Sequence, residues 1–361
     1  MTVRTAAARV APISGRRQRT VPLLGLAAAL VLAVAFATAI GAVPIPLSTV
    51  LGAIGHQLGI ASGPTTWSDA DQTIVVSIRL PRVVAAALVG AALAVSGVLY
   101  QGLLRNPLAD PFVIGASGGA AFAATIALVF LPSLGVVIGF GAVPLCAFAG
   151  ALLAVALVYQ LARVGSTTPL TTLLLAGFAV SALMSAGVSL LMVMSDRLQL
   201  RLRSLFALLT GGISVGGWDQ LLIITPLILI GLAVALLYGR ILNAFALGEE
   251  GAAYVGVEVE RQKAFIVVVA TWLTATAVTI SGLVGFVGLV VPHTLRLLLG
   301  PDHRLLLPGS ALAGAVFVVL MDALARYAIR PAELPLGVLT AVVGGPLFLW
   351  LLRRARRGYV L

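Results

Sequence analysis

Apolar runs long enough to cross a lipid bilayer recur along this chain from Val21 to Leu352, and they constrain its fold more than any other feature. A spanning helix needs about 20 apolar residues. The runs are rich in Ala, Leu and Val and lack the alternation of a membrane β-strand, so they predict helices and not a barrel. At 60% hydrophobic and 10% charged residues, the chain is too apolar for a soluble core. The sequence therefore predicts an all-α polytopic membrane protein.

Ten of these runs are predicted to be transmembrane helices. The eighth is short and rich in glycine, which a membrane tolerates only where the backbone is buried in protein. Similar small-residue patterns accompany the second and seventh runs, which would cross in opposite directions, and this echo is compatible with an inverted repeat. The ten runs lie at residues 21–42, 80–101, 112–131, 136–161, 170–194, 219–239, 262–281, 284–299, 306–327 and 335–352.

The basic residues predict the orientation of these helices. An N-terminus in the cytoplasm places sixteen of the 23 basic residues on the cytoplasmic side, as membrane orientation favours. Both termini are then cytoplasmic, with a tail over residues 1–20 and one transmembrane domain over residues 21–355. The first run could instead be a cleaved signal peptide, but it is longer than such segments usually are, so we interpret it as a retained helix.

Several kinds of site are not predicted by this sequence. The net charge of +11 is scattered between the runs, which does not favour nucleic-acid binding. The single lysine, Lys263, follows Gln262 and not the glycine that an ATP-binding P-loop requires. Cys146 stands alone and the three histidines lack ligand spacing, so neither a metal site nor a cofactor is expected. Buried acids are rare apart from Asp322, which argues against a proton relay.

Six motifs occur in a fixed order along the chain. They are Arg79-Leu80-Pro81-Arg82, Leu104-Arg105-Asn106-Pro107-Leu108-Ala109-Asp110-Pro111, Leu247-Gly248-Glu249-Glu250, Gly285-Phe286-Val287-Gly288-Leu289-Val290-Val291-Pro292-His293, Gly300-Pro301-Asp302-His303-Arg304 and Glu333-Leu334-Pro335-Leu336-Gly337. Through them the chain resembles the permease family of iron–siderophore, haem and vitamin B12 ABC importers, the FecCD-type or type II importers. The resemblance covers about residues 20–355.

The resemblance implies a transmembrane permease that moves an iron–siderophore complex by alternating access. Separate ATPase subunits would supply the energy, so the chain itself is not expected to be an enzyme. Haem and vitamin B12 are the alternative cargoes, and an ion-coupled secondary transporter is the alternative mechanism. The implied partners in the plasma (inner) membrane are two ABC ATPase subunits, an extracytoplasmic substrate-binding protein, a second permease subunit, identical or closely related, and membrane lipid.

Three arginines match family positions that dock the substrate-binding protein. They are Arg79, Arg82 and Arg326. A planar guanidinium can hold a partner carboxylate through two hydrogen bonds, which suits it to this role. Pro81 is expected to leave the first two side chains at the membrane surface. The alternatives are interfacial snorkelling and, for Arg326, an ion pair with Asp322 one helical turn away.

The segment at about residues 240–261 is the candidate for ATPase coupling. Glycines divide it into short helices with an apolar stripe, a pattern that can seat in a groove of a partner protein. The resemblance makes that partner the ATPase. Acidic residues near a helix start also stabilise the helix, so capping is the alternative role for the glutamates. The implicated residues are Leu247, Gly248, Glu249, Glu250, Ala253 and Gly256.

Small polar residues on the fifth run are candidates for lining a translocation pathway. They are Thr172, Ser181, Ser185 and Ser189, with Gly177 on the same stripe. Such a stripe is also typical of close helix packing, which remains the alternative. A further group, Arg197, Arg201 and Arg203, matches no motif; it could attract an anionic complex or belong to a solvated loop.

Overall fold

The computed structural model describes residues 16–41, 43–60, 67–131, 139–329 and 332–356, and most of the predicted tail at 1–20 lies outside them. Within these ranges the chain is helical. The helices are α1 Arg16–Ala39, α2 Leu47–Gln57, α3 Asp69–Thr73, a π-helical segment Ile74–Arg79, α4 Leu80–Leu103, α5 Ala116–Phe130, α6 Ala142–Ala162, α7 Leu170–Met194, α8 Asp196–Gln199, α9 Leu202–Thr210, α10 Trp218–Leu237, α11 Gly239–Phe245, α12 Glu249–Tyr254, α13 Val259–Ser281, α14 Val287–Leu299, α15 His303–Ala328 and α16 Leu336–Arg356.

Each of the ten predicted runs overlaps one of these helices. Seven helical stretches of the described chain are long and apolar enough to cross a membrane, and they contain α1, α4, α6, α7, α10, α13 and α15. The other three, α5, α14 and α16, are shorter apolar helices. The prediction of an all-α polytopic membrane protein is therefore confirmed, and the eighth run is indeed a short helix.

Helix α4 forms the centre of the bundle. In the helical stretch Asp69–Leu103, which contains α4, 83% of the most apolar 18-residue segment is buried, compared with 22% for the corresponding segment of α7. Glycines allow this burial because they let backbones approach closely. Gly90 faces Gly314 of α15 and Gly97 faces Gly288 of α14, and a Cβ atom at Gly90 or Gly97 would overlap the carbonyl oxygen of its partner.

Polar side chains join α4 to α13 inside this apolar core. The Ser96 hydroxyl donates to the Ala270 carbonyl at 2.8 Å and lies 2.7 Å from the Thr274 hydroxyl. One turn further along α4, the Tyr100 hydroxyl lies 2.8 Å from that of Thr271. Because each buried hydroxyl has a partner, these groups hold the two helices in register at little desolvation cost.

The helices that follow α4 and α13 share a feature that agrees with the predicted repeat. Both α5 and α14 are short, and each begins after an irregular segment. The residue before each helix has left-handed backbone geometry, with φ of 93° at Gly115 and 69° at Phe286. A positive φ is unusual for a residue with a side chain, so Phe286 holds a conformation that its surroundings must impose.

Candidate functional sites at the two ends of the bundle

The bundle has two ends, which we name by their central charged residue. At the Arg82 end, α4 begins while α13 and α15 finish. At the Lys263 end, α4 finishes while α13 and α15 begin. The predicted docking arginines belong to the first end and the predicted coupling segment to the second.

Arg82 binds two carboxylates at its own end. Its Nη1 and Nη2 atoms donate to the two oxygens of Glu333 at 3.1 and 2.8 Å. Its Nε and Nη2 atoms donate to Oδ1 of Asp322 at 3.1 and 3.0 Å. The Arg82 side chain remains 23% exposed and that of Glu333 49% exposed. The guanidinium is therefore reachable from outside but is already paired within the chain.

Arg326 is buried and pairs with the acid that precedes it by one turn. Its Nε atom donates to Oδ2 of Asp322 at 2.9 Å, which confirms the ion pair predicted from their spacing. Its other nitrogens donate to the carbonyls of Ala37 and Ile40 at 3.1 and 2.7 Å. Asp322 thus lies between two guanidinium groups, those of Arg82 and Arg326.

Arg79 is also buried, and it differs from the expectation that it lies at the membrane surface. Its guanidinium donates to the carbonyls of Thr38 and Ala39 at 3.1 and 3.0 Å and to that of Val43. The last carbonyls of a helix have no partner within the helix, and α1 ends here at Ala39. Gly41 leaves room for the guanidinium, which a Cβ atom would fill. Arg79 and Arg326 together therefore cap the end of α1.

A cavity of about 780 Å³ opens beside this network. Arg82, Asp322 and Glu333 line one part of its wall, and the backbone from Gly211 to Ser214 lines another. Of the three arginines at positions 197, 201 and 203, only Arg203 lines the cavity. It adds a positive charge to a wall where Arg82 already faces two acids.

The cavity wall contains irregular backbone whose amides donate hydrogen bonds to carbonyls near the end of another helix. Gly212 and Ser214 donate their amides to the carbonyls of Ser281 and Ile280 at 2.8 and 2.9 Å. Leu283 donates to Leu208 at 2.9 Å. Irregular backbone at membrane depth persists only where protein supplies such partners. The glycine-rich segment before α14 is therefore stabilised by other parts of the protein, as a non-helical segment within a membrane requires.

At the Lys263 end, the predicted coupling segment forms α11 and α12. Gly248 and Gly256 flank α12 with positive φ values of 94° and 86°, which glycine adopts without strain. Leu247, Tyr254 and Val255 are exposed apolar side chains, and Tyr254 is 90% exposed. These residues form an apolar surface at the tip of the segment, where Ala253 is also exposed.

The two predicted glutamates of α12 have different environments. Glu250 is exposed, whereas Oε2 of Glu249 accepts a hydrogen bond from Nζ of Lys263 at 2.6 Å. Lys263 is 2% exposed and was not among the predicted site residues. The sequence feature that could have identified Lys263 as a site residue is that it is the only lysine of the chain, all other basic residues apart from histidine being arginines.

The turn between α4 and α5 lies at the same end. Asn106 and Asp110 accept the amides of Leu108 and Phe112 at 3.0 and 2.9 Å through their side chains. Burial raises the pKa of the Asp110 carboxyl from 3.8 to about 6, although the Phe112 amide opposes the shift. This carboxyl therefore holds its proton to a higher pH than an exposed aspartate does.

The small polar stripe of α7 divides into two parts. Gly177 and Ser181 pack against the start of α5, where a Cβ atom at Gly118 would lie 3.1 Å from Cα of Ser181. Ser185 and Ser189 are exposed, and Ser189 donates to the Ser185 carbonyl at 3.1 Å. Thr172 is half-buried at the other end of the helix. Close packing therefore accounts for only the first part of the stripe.

Comparison with known proteins gives one family and several relatives. The FecCD transport family matches residues 29–354. The cobalamin import system permease protein of Halobacterium salinarum is 45% identical over 313 residues, which are 87% of this chain and 80% of that protein. The hemin transport system permease protein of Yersinia pestis is 44% identical, over 81% of this chain and 86% of that protein.

Two further matches extend this picture. The Fe(3+) dicitrate transport system permease protein of Escherichia coli is 40% identical, over 78% of this chain and 86% of that protein. A solved structure, described as an inward-facing conformation of a metal-chelate type ABC transporter, has a TM-score of 0.78 and 34% sequence identity. It covers 92% of this chain and 98% of that chain. The likeness therefore holds over nearly the whole fold.

Proposed function

Since the chain belongs to the FecCD transport family and is a permease subunit of an ABC importer, we propose that it moves an iron–siderophore complex by alternating access. It is a multi-pass protein of the inner membrane, and importers of this family work with ATPase and substrate-binding partners. Energy would come from the partner ATPase, because the sequence contains no P-loop lysine. The family match over residues 29–354 is the observation that carries this function.

The proposed orientation puts the Arg82 end outside and the Lys263 end, with both termini, in the cytoplasm. The distribution of basic residues supports it. An anionic metal chelate is favoured as cargo by Arg203, whose charge at the cavity wall has no acid partner within the described residues. The names of the relatives support haem and cobalamin as alternative cargoes.

We assign docking of the substrate-binding protein to Arg82 first. Its guanidinium is partly exposed, and an incoming carboxylate could replace that of Glu333, which is itself half-exposed. Arg79 and Arg326 could join the contact only after releasing the carbonyls at the end of α1. In this proposal Arg79 and Arg326 mainly stabilise the end of α1, which the substrate-binding protein contacts.

The apolar tip formed by Leu247, Tyr254 and Val255 is the proposed seat for the ATPase. Exposed apolar side chains on a short helix suit a groove of a partner protein. The full assembly would hold two permeases, identical or closely related, and two ATPase subunits. The exposed part of α7, with Ser185 and Ser189, would face the pathway between the two permeases, because lone serines gain nothing from facing lipid.

Reconstitution tests the proposed function directly. The permease is purified with its ATPase, placed in proteoliposomes and supplied with its substrate-binding protein and one of three probes: a radiolabelled ferric tris-catecholate siderophore, which is anionic, haem or cobalamin. We expect uptake of the ferric tris-catecholate that requires ATP. Uptake of haem or cobalamin alone would reassign the cargo. Uptake that needs an ion gradient and no ATP would instead establish the secondary transporter.

A further inference from the structure

The single lysine of the chain joins three segments at the Lys263 end. Its Nζ atom donates to Oε2 of Glu249 at 2.6 Å, to Oε1 of Glu260 at 2.8 Å and to the carbonyl of Thr168 at 3.2 Å. An ammonium group has three donors, so all of them are used. With its side chain 2% exposed, Lys263 has little access to water as an alternative partner.

Each acceptor belongs to a different part of the fold. Glu249 is the first residue of α12, and Glu260 lies in the first turn of α13. Thr168 precedes α7 by two residues and is itself buried. The second oxygen of Glu260 accepts the amide of Thr168 at 2.9 Å, which closes the cluster. The start of α7 is therefore connected through one ammonium group to the start of α12.

We propose that Lys263 is a positioning residue that transmits movement of α12 to α7 and α13. The inference rests on the proposed function, in which α12 carries the ATPase seat and α7 borders the pathway. If α12 moved alone, the buried ammonium group would lose the Glu249 carboxylate, its shortest contact, and would keep only Glu260 and Thr168 as acceptors. One N–H donor would then be buried without a partner, which is disfavoured. The favourable motion is therefore one in which the three segments move as a unit.

A matched pair of variants separates this role from ordinary surface charge. Lys263→Met removes the ammonium group and keeps an apolar chain of similar length. Arg261→Met is the control, because within the described part of the chain Arg261 forms an ion pair only with Glu258, at the surface, where their side chains are 73% and 67% exposed. Both positions lie in the first turns of α13, so both variants change the same helix.

The decisive measurement is the number of cargo molecules imported for each ATP hydrolysed in proteoliposomes. It uses the complete transporter and the probe that the wild type imports. We expect Lys263→Met to lower this ratio at least about fivefold, the low end of typical coupling between sites. The amount of ATPase that copurifies should not change, and Lys263→Arg should restore part of the ratio. Arg261→Met should match the wild type.

A second variant keeps the test decisive if Lys263→Met fails to insert. Glu249→Gln retains an acceptor oxygen but loses the charge that ties α12 to Lys263, and it should also lower the ratio. If Lys263→Met inserts, a wild-type ratio in that variant would overturn the inference. If it does not insert, a wild-type ratio in Glu249→Gln would overturn it. Absence of ATP-dependent uptake in the wild type would instead contradict the proposed function, so the two failures are distinguishable.

Discussion

Asp322 and Arg326 are one helical turn apart on α15, and their side chains meet at 2.9 Å between Oδ2 and Nε. The opposite oxygen of the same carboxylate lies 3.0 Å from Nη2 of Arg82 on α4. Asp322 is 1% exposed, so a single buried carboxylate bridges two guanidinium groups and fixes the contact between the two helices. This arrangement makes it the residue at the Arg82 end whose loss matters most for folding.

Replacing Asp322 by alanine should destabilise the protein strongly. The change leaves Arg326 buried beside Arg82 with no acid between them, and removing one partner of a buried pair costs about 3–5 kcal/mol. Thermal unfolding in detergent, compared with the wild type, measures the loss. The control is Glu258→Ala, which breaks an exposed pair and should cost about 1 kcal/mol or less. Equal losses in the two variants would contradict this account.

Arg82→Gln should weaken binding of the substrate-binding protein at least about 30-fold, since loss of a paired charge at an interface costs about 2 kcal/mol or more. Glu333→Gln should act in the opposite direction, because it removes the internal carboxylate that competes for Arg82. Titration of the binding protein against each purified variant measures both effects. Arg201→Gln, an exposed change at the same end but outside the cavity wall, should leave affinity unchanged. Weaker binding in Glu333→Gln would argue against the competition.

The contact between α4 and α15 should not tolerate a methyl group at Gly90. A Cβ atom there overlaps the carbonyl oxygen of Gly314, so Gly90→Ala must push the helices apart, which typically costs 1–3 kcal/mol. Gly25 on α1 is the matched control, because nothing lies within 4 Å of its Cβ position. Gly25→Ala should be neutral or stabilising by up to about 1 kcal/mol, as alanine is the better helix former. Thermal unfolding of both variants shows whether the loss comes from steric overlap at Gly90 or from replacing any helical glycine by alanine.

The pH dependence of stability should carry a contribution from Asp110. Because burial raises its folded pKa to about 6 from an ordinary 3.8, the folded state binds more protons than the unfolded state between these values. Stability from this group therefore falls as pH rises through that window and is level above it. Asp110→Asn removes the titration and keeps an acceptor for the Phe112 amide. Its stability relative to the wild type should rise by up to ~3 kcal/mol between pH 4 and 7 and then stay constant. A stability difference between Asp110→Asn and the wild type that does not vary with pH would exclude a raised pKa for Asp110.

The sequence predicted most of the fold because the features that fix it are local. Apolar length sets the ten helices, and a spacing of four residues sets the pair of Asp322 with Arg326. The partners of Arg82 and Arg79 could not be read this way. Glu333 is 251 residues from Arg82, and the carbonyls that hold Arg79 belong to the backbone of a helix about 40 residues earlier. Backbone carbonyls carry no sequence signal, so docking was the only role that motifs could suggest for Arg79.

The same limit applies at the Lys263 end. Glycines and an apolar stripe predicted a segment divided into short helices, and α11 and α12 confirm that division. The link from α12 to the start of α7 depends on Thr168, a residue with no distinctive neighbours in the sequence. Long-range convergence of this kind requires the packed structure. The docking, coupling and pathway roles themselves remain proposals, and the pathway role of α7 has the sharpest test.

Ser185→Trp should lower uptake through the complete transporter at least about tenfold, a loss of about 1.4 kcal/mol in effective transport free energy. Ser185 is exposed on α7, and an indole there would fill space through which a bulky cargo must pass. Leu183→Trp is the matched control, because Leu183 is 73% exposed. It is two residues from Ser185 in the sequence and therefore lies on nearly the opposite side of the helix. A large apolar side chain facing lipid should have little effect there. Uptake in proteoliposomes, normalised to inserted protein, measures both variants. Wild-type uptake in Ser185→Trp would remove this serine from the pathway, and a loss confined to Leu183→Trp would move the pathway to the other face of α7.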